Sequence, residues 1–177
     1  MQSASGIGSM RRFLRSLFII VIGIAIAIAA LIWEGTTLES MLYIGDVPVI
    51  DFATLQRDSV PNQYLLCPKG MCSTATDGEA PVFDVPIEQL QVAWDDMLAE
   101  QPRLQLLRRD VTNTQIDYVQ RTRFLRFPDL VTVRFVPVDD AHSTLAIYSR
   151  SVWGKGDMGV NRKRVGEWLA RVQAKLG

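Results

Sequence analysis

Residues 131–152 read VTVRFVPVDDAHSTLAIYSRSV, and the fold follows from how this stretch is divided. Val131, Val133 and Phe135 alternate along its first half, and Leu145, Ile147 and Ser149 along its second. A period of two places each set on one face of a strand. Between the halves stands Asp139-Asp140-Ala141-His142, a short polar turn. Two strands joined so tightly pair antiparallel, because a parallel pair needs a long crossover.

Working outward, Gln115–Phe124 alternates through Ile116, Tyr118, Gln120, Thr122 and Phe124, and Leu104–Arg109 forms a shorter run. Turns are expected at Asn113 and at Pro128-Asp129. Upstream, Val82, Phe83 and Val85 predict a short strand. Pro86 suits the first turn of a helix, whose apolar face is Ile87, Leu90, Ala93, Trp94, Met97 and Leu98. Pro102 ends that helix at the latest. Downstream, Val165, Trp168, Leu169, Val172 and Leu176 form one stripe of a helix over 160–176. Residues 73–80, STATDGEA, have the composition of a loop. The expected fold is α+β in the order β-α-β-β-β-β-α. It is an antiparallel sheet of about five strands covered by two helices.

The N-terminal region is of another kind. Leu17–Trp33 reads LFIIVIGIAIAIAALIW, without a charged side chain. As a helix it is about 26 Å long at 1.5 Å per residue, close to a hydrocarbon core of roughly 30 Å. Arg11, Arg12 and Arg15 precede it. Up to Val60, Glu34, Glu39, Asp46, Asp51 and Asp58 follow it, against Arg57 alone. The excess of cations before the span puts the N-terminus in the cytoplasm. A cleaved export signal is the alternative, with Ala27-Ile28-Ala29 as a formal cleavage site. The run continues past that site, which favours an anchor. The expected organisation is a basic cytoplasmic tail over 1–16 and a transmembrane helix over 17–33. A stalk over 34–63 and an exported domain over 64–176 follow. The expected location is a bacterial inner membrane with the domain in the periplasm.

Lysines plus arginines number 19, as do the acids, so the formal net charge is zero. That balance argues against a general nucleic-acid binder.

Ser149-Arg150-Ser151, Gly154 and the run Asp157-Met158-Gly159-Val160-Asn161-Arg162-Lys163-Arg164 resemble the C-terminal signature of the domain of unknown function 1499 family. Cys67-Pro68 with Cys72-Ser73 is similar to that family's N-terminal motif, although the loop is shorter and lacks Pro-Asn before the second Cys. The resemblance covers about Tyr64 to Leu176. It implies a domain boundary and a membrane-tethered bacterial or plastid protein, and it implies no activity.

Each chemical motif has a structural alternative. Gly154-Lys155-Gly156-Asp157-Met158-Gly159 is a literal G-x-G-x-x-G between a strand and a helix. A dinucleotide fingerprint also needs a following parallel strand and an acid about 20 residues on, and the sequence ends at Gly177. No cofactor is therefore expected. A helix N-terminus beside Lys155, Arg162 and Arg164 suits an anion such as a phosphate or lipid headgroup, with solvated surface charge as the alternative. Arg150, if it points inward, has Asp157 as its expected ion-pair partner, which would pin the turn to the sheet. Cys67 and Cys72 are a disulfide candidate in an oxidising compartment. They lack the C-x-x-C spacing of a redox pair. His142 is the single histidine and sits in a polar turn, so no metal site is expected.

Two functions remain. One is a non-enzymatic binding or accessory module for an envelope protein, lipid or small ligand. A pocket between sheet and C-terminal helix, lined by Phe124, Phe135 and Trp168, would favour a small ligand. The other is an enzyme of unknown reaction, with Arg150, Asp157, Asn161 and Arg162 around one cleft. The scarcity of catalytic groups favours the first.

Overall fold

The computed structural model describes residues 5–33, 44–112 and 114–177. Residues 34–43 of the expected stalk and the Asn113 turn lie outside the described residues. The chain divides into two units, Met1–Tyr43 and Ile44–Gly177.

The first unit contains helix α1, Ser5–Trp33. Its 29 residues make it about 44 Å long at 1.5 Å per residue. Met10–Ala30 is long and apolar enough to cross a membrane, and the same profile serves an anchor or an export signal.

The second unit is an α+β domain. Its strands are β1 (Gln63–Cys67), β2 (Gly78–Glu79), β3 (Val82–Phe83), β4 (Leu104–Asp110), β5 (Gln115–Arg121), β6 (Pro128–Pro137) and β7 (Ser143–Ser151). Its helices are α2 (Ile87–Ala99) and α3 (Val160–Leu176). The order across the sheet is β2-β1-β7-β6-β5-β4. β3 lies on the β1 side of β7, end to end with β1. β4 through β7 form the expected antiparallel meander.

The sheet exceeds the expected five strands, and it is mixed because β1 and β2 pair parallel. β1 escapes the sequence pattern because Tyr64-Leu65-Leu66-Cys67 is a short unbroken apolar run. Leu65 belongs to one apolar cluster and Leu66 to the other, so no apolar–polar alternation marks the strand. β2 falls inside the stretch whose composition reads as a loop. Gly78 sits where an added Cβ would approach Leu66 Cδ2 to 2.9 Å. A side chain there would crowd the neighbouring strand.

The larger core fills the space between the sheet and the two helices. Trp94 from α2 and Trp168 from α3 meet edge to face at 5.8 Å, and Trp94 meets Phe135 in the same way at 5.8 Å. Of the three residues whose pocket would favour a small ligand, Phe135 and Trp168 are buried in this packed core. Phe124 is 83% exposed.

A second, smaller core lies on the other face. Ile50, Phe52 and Leu55 pack there on Leu65, Ala146 and Tyr148. The Asp51 carboxylate accepts from Ala53 N at 3.0 Å and from Thr54 Oγ1 at 3.0 Å, closing a turn that aims Phe52 inward. Gln115 Nε2 donates to Ile50 O at 3.0 Å. Residues 50–55, expected in a stalk, thus pack into the domain.

Candidate functional site

One end of the sheet gathers the sequence-derived candidates. There β5 hands over to β6 through residues 122–127, and β7 hands over to α3 through residues 152–159. Thr122 N donates to Phe127 O at 3.0 Å, and Phe127 N donates to Thr122 Oγ1 at 3.0 Å. This closes the first loop and stops β5 at Arg121, short of the expected Phe124. Pro128 opens β6 at the end of the ladder, where a missing N–H is tolerated. Pro128-Asp129, expected in a turn, is therefore strand, and Asp129 is buried. Val152 N donates to Pro128 O at 3.1 Å and brings the second loop beside the first.

Beneath these loops lies a buried polar network. Arg164 sits one turn into α3. Its guanidinium donates through Nε to Gln120 Oε1 at 2.7 Å, and through Nη1 to Ser149 Oγ at 2.9 Å and Asn161 Oδ1 at 2.6 Å. Its Nη2 meets the Asp129 carboxylate in an ion pair with both partners less than a tenth exposed. Asn161 is fully buried. Its Oδ1 also accepts from Ser149 Oγ at 2.6 Å. Its Nδ2 donates to Asn62 O at 2.9 Å and to Asp157 Oδ2 at 2.8 Å. Every strong group in the network has a partner, which is the condition for burying it.

Asp157 caps α3 from outside the helix. Its carboxylate accepts from Gly159 N at 2.9 Å and Asn161 N at 2.8 Å. Partial burial opposes its charge, but the donated Asn161 and Gly159 N–H bonds outweigh it and hold the carboxyl below the ordinary range. Gly159 supplies the left-handed backbone, φ 78°, that the turn requires.

Arg150 and Asp157 do not pair, contrary to expectation. Asn161 bonds Ser149 and reaches Ser151 Oγ at 3.2 Å, so these serines face α3. Strand alternation turns Arg150 to the opposite face. There its guanidinium lies 5.0 Å from the centre of the Tyr148 ring, and burial pushes its pKa down. Along this face Arg108, Asp117, Thr132 and Tyr148 stand in one cross-strand row. Asp117 accepts from Arg108 Nη2 at 2.6 Å and from Thr132 Oγ1 at 2.6 Å.

Arg162 and Asp157 share a third place, a polar cavity of about 350 Å³ with Arg57, Asp77 and Tyr64. Arg162 stacks over Tyr64 at 5.3 Å. Arg57 and Asp77 are ion-paired across it at 2.8 Å. The four residues named for an enzyme cleft are therefore distributed: Arg150 on one sheet face, Asn161 inside the network, Asp157 and Arg162 at this cavity. Lys155 is exposed in the β7–α3 loop. Cys67 and Cys72 are joined by a disulfide, Cα to Cα 6.2 Å.

A basic recess of about 360 Å³ lies between the end of β5 and the start of α3. Arg103, Arg121, Arg123, Lys163 and Arg164 line it against a single acid, Glu167. Arg164 is answered by Asp129, whereas Lys163 stands 3.8 Å from Glu167. Arg103 Nε donates to Arg121 O at 3.1 Å, and Arg121 N donates to Arg103 O at 3.1 Å, so the two arginines are fixed side by side. Arg103 is held at φ 58° and, in the adjoining loop, Arg126 at 57°. Such left-handed backbone costs a non-glycine residue roughly 1–2 kcal/mol. Of these residues only Arg164 stands out in the sequence as a candidate for binding an anion. A signal did exist, in the basic and aromatic run RTRFLRF over 121–127.

These features define a class: an α+β domain with a mixed open sheet, one helical layer, and a helix N-terminus riveted to the sheet by polar side chains. Residues 82–172 match the family described as protein of unknown function (DUF1499), just over half of the chain, and the chain belongs to that family. The match includes the network residues Asp129, Ser149, Asn161 and Arg164. A comparison with curated proteins found no match.

Proposed function

We propose that this protein is a membrane-anchored, non-enzymatic binding module whose ligand is an anion bearing phosphate. In this reading α1 is the anchor in a bacterial cytoplasmic membrane, with the N-terminus in the cytoplasm and the α+β domain in the periplasm. The arginines before the span and the acids after it support that orientation.

The observation that carries the ligand class is the cleft. Arg103, Arg123 and Lys163 bring positive charge to a recess lined by Glu167 as its one acid. A fixed guanidinium fork matches phosphate oxygens better than a mobile ammonium does. The groups that a reaction would need are committed elsewhere. Asp157 is occupied by helix N–H donors, and Asn161 and Arg164 are saturated inside the network.

Thermal unfolding of the full chain in neutral detergent, with inorganic phosphate or pyrophosphate added at constant ionic strength, tests the ligand. A concentration-dependent rise in Tm, lost in the Arg103→Glu/Lys163→Glu variant, is expected. No rise with either anion sinks the cleft as an anion site. A reporter active only after export, fused to the C-terminus, tests the compartment. Silence there, with an active cytoplasmic reporter, reverses the topology.

A further inference from the structure

We infer that the loop end of the domain is a docking surface for an anionic lipid bilayer. The inference rests on the tethered-module reading for the nearness of a bilayer, and on separate observations for the surface itself.

Two loops that the sheet brings together carry large apolar side chains into solvent. Phe124 and Leu125 stand on the β5–β6 loop, and Trp153 and Met158 on the β7–α3 loop. Met158 is fully exposed, and its backbone is left-handed at φ 51°. That conformation costs energy in a side chain with no internal contact to offset it. The loops converge because β6 and β7 pair through to Asp129↔Ser151, with Val152 N donating to Pro128 O beyond. Thr122 and Arg123 of one loop, and Val160 and Lys163 just past the other, line a common cleft.

Cations surround this apolar group. Arg123 lies 5.5 Å from the Phe124 ring centre, and Lys155 and Lys163 are exposed beside the second loop. The nearby acids leave Arg123 and Lys155 uncompensated: Asp129 pairs with Arg164, Asp157 caps α3, and Glu167 stands 3.8 Å from Lys163. Exposed aromatic and aliphatic tips ringed by Arg and Lys are the chemistry of an interfacial surface on anionic lipid, apolar groups in the headgroup boundary and cations on phosphates. A second copy of the chain fits less well. A two-fold interface sets like residues near like, which would place Arg123 and Lys155 of both copies together, with Glu167 beside Lys163 as the one exposed acid of the cleft.

The tether makes docking local. In sequence, the domain that begins at Ile44 follows closely on α1, which ends at Trp33. A bilayer that holds α1 is thus covalently linked to the domain, and such linkage lets even weak surface affinity act at raised effective concentration.

The test uses the full chain in lipid nanodiscs, with nitroxide labels at Met158→Cys, Phe124→Cys and, as control, Val92→Cys on α2. Phosphatidylcholine discs are compared with discs containing phosphatidylglycerol. Collision with oxygen against collision with a water-soluble nickel complex reports immersion. In anionic discs, labels at 158 and 124 are expected to show an oxygen-to-nickel ratio severalfold above that at 92. The difference should disappear in neutral discs and in the Arg123→Glu/Lys155→Glu background. An aqueous profile at 158 and 124 in anionic discs overturns the proposal. So does immobilisation that follows the number of chains per disc and ignores lipid charge, which would identify a second copy as the occupant. A phosphate-dependent Tm rise with aqueous labels would sink docking alone. Immersed labels with no phosphate response would sink the cleft alone.

Discussion

Arg164 of α3 and Asp129 of β6 form an ion pair buried between helix and sheet, 35 residues apart in sequence. The pair sits within a network that also ties Gln120, Ser149 and Asn161. Its geometry fixes where α3 starts, and so where the basic cleft and the two loops are placed.

Removing one partner leaves the other charge buried without compensation. Asp129→Asn is expected to cost about 3–5 kcal/mol of domain stability. Urea unfolding followed by tryptophan fluorescence measures it. The double variant Asp129→Leu/Arg164→Met should recover part of that loss, because it removes the stranded charge with its partner.

Asp157 links stability to pH. Its folded carboxyl lies below the ordinary range, so the folded state binds a proton less readily than the unfolded chain. Its contribution is fully present above the unfolded value near pH ~4. It is lost as pH falls through the depressed folded value. Asp139, held down by the Ala141 N–H and the His142 side chain, acts in the same direction, as does Glu100 beside Lys175. Unfolding free energy at pH 7 and pH 3 should therefore converge in Asp157→Asn relative to the parent, without becoming equal.

Two glycines of the G-x-G-x-x-G run separate conformation from space. Gly159 has φ 78° and open room for a Cβ, while Gly156 has room and no left-handed backbone. Gly159→Ala is expected to destabilise by about 1 kcal/mol. Gly156→Ala should fall within ~0.5 kcal/mol of the parent. Paired denaturation curves decide this, and equal losses would show that the turn does not depend on the left-handed position.

Trp94 links both helices to the sheet through Trp168 and Phe135. Trp94→Ala removes a fully buried ring, and a loss of about 3–5 kcal/mol is expected. Hydrogen exchange should show loosening in α2 and α3 before it appears in the β6–β7 ladder.

The Cys67–Cys72 disulfide closes a short loop beside the second core. Its removal by the double Ser variant is expected to cost about 2 kcal/mol from loop entropy. A melting curve unchanged by reduction would contradict that role.

Legibility tracked the alternation of residue type along the chain. β5, β6 and β7 read clearly because each presents alternating residues. The helices read clearly because each has one apolar stripe. β1 did not, since Leu65 and Leu66 enter different cores and cancel the alternation. Residues 50–55 read as tether because three apolar positions in a polar stretch carry no period; a turn at Asp51 is what collects them. Among candidate site residues, Asp157 and Asn161 stood out from local helix-start chemistry. Asp129 read as turn chemistry because a proline precedes it. Arg103 and Arg121 are 18 residues apart, and their closeness depends on the β4–β5 pairing.

The linear order of residues was enough for the α+β class, the meander, the family and a segment apolar enough for a membrane, because these depend on periodicity and composition within a window of the chain. The tertiary structure alone decided which face Arg150 takes, which acid answers Arg164, and that a basic cleft and two apolar loop tips meet at one end of the sheet. Those are contacts between distant residues, governed by strand register and the need to satisfy every buried charge, and no local pattern encodes them.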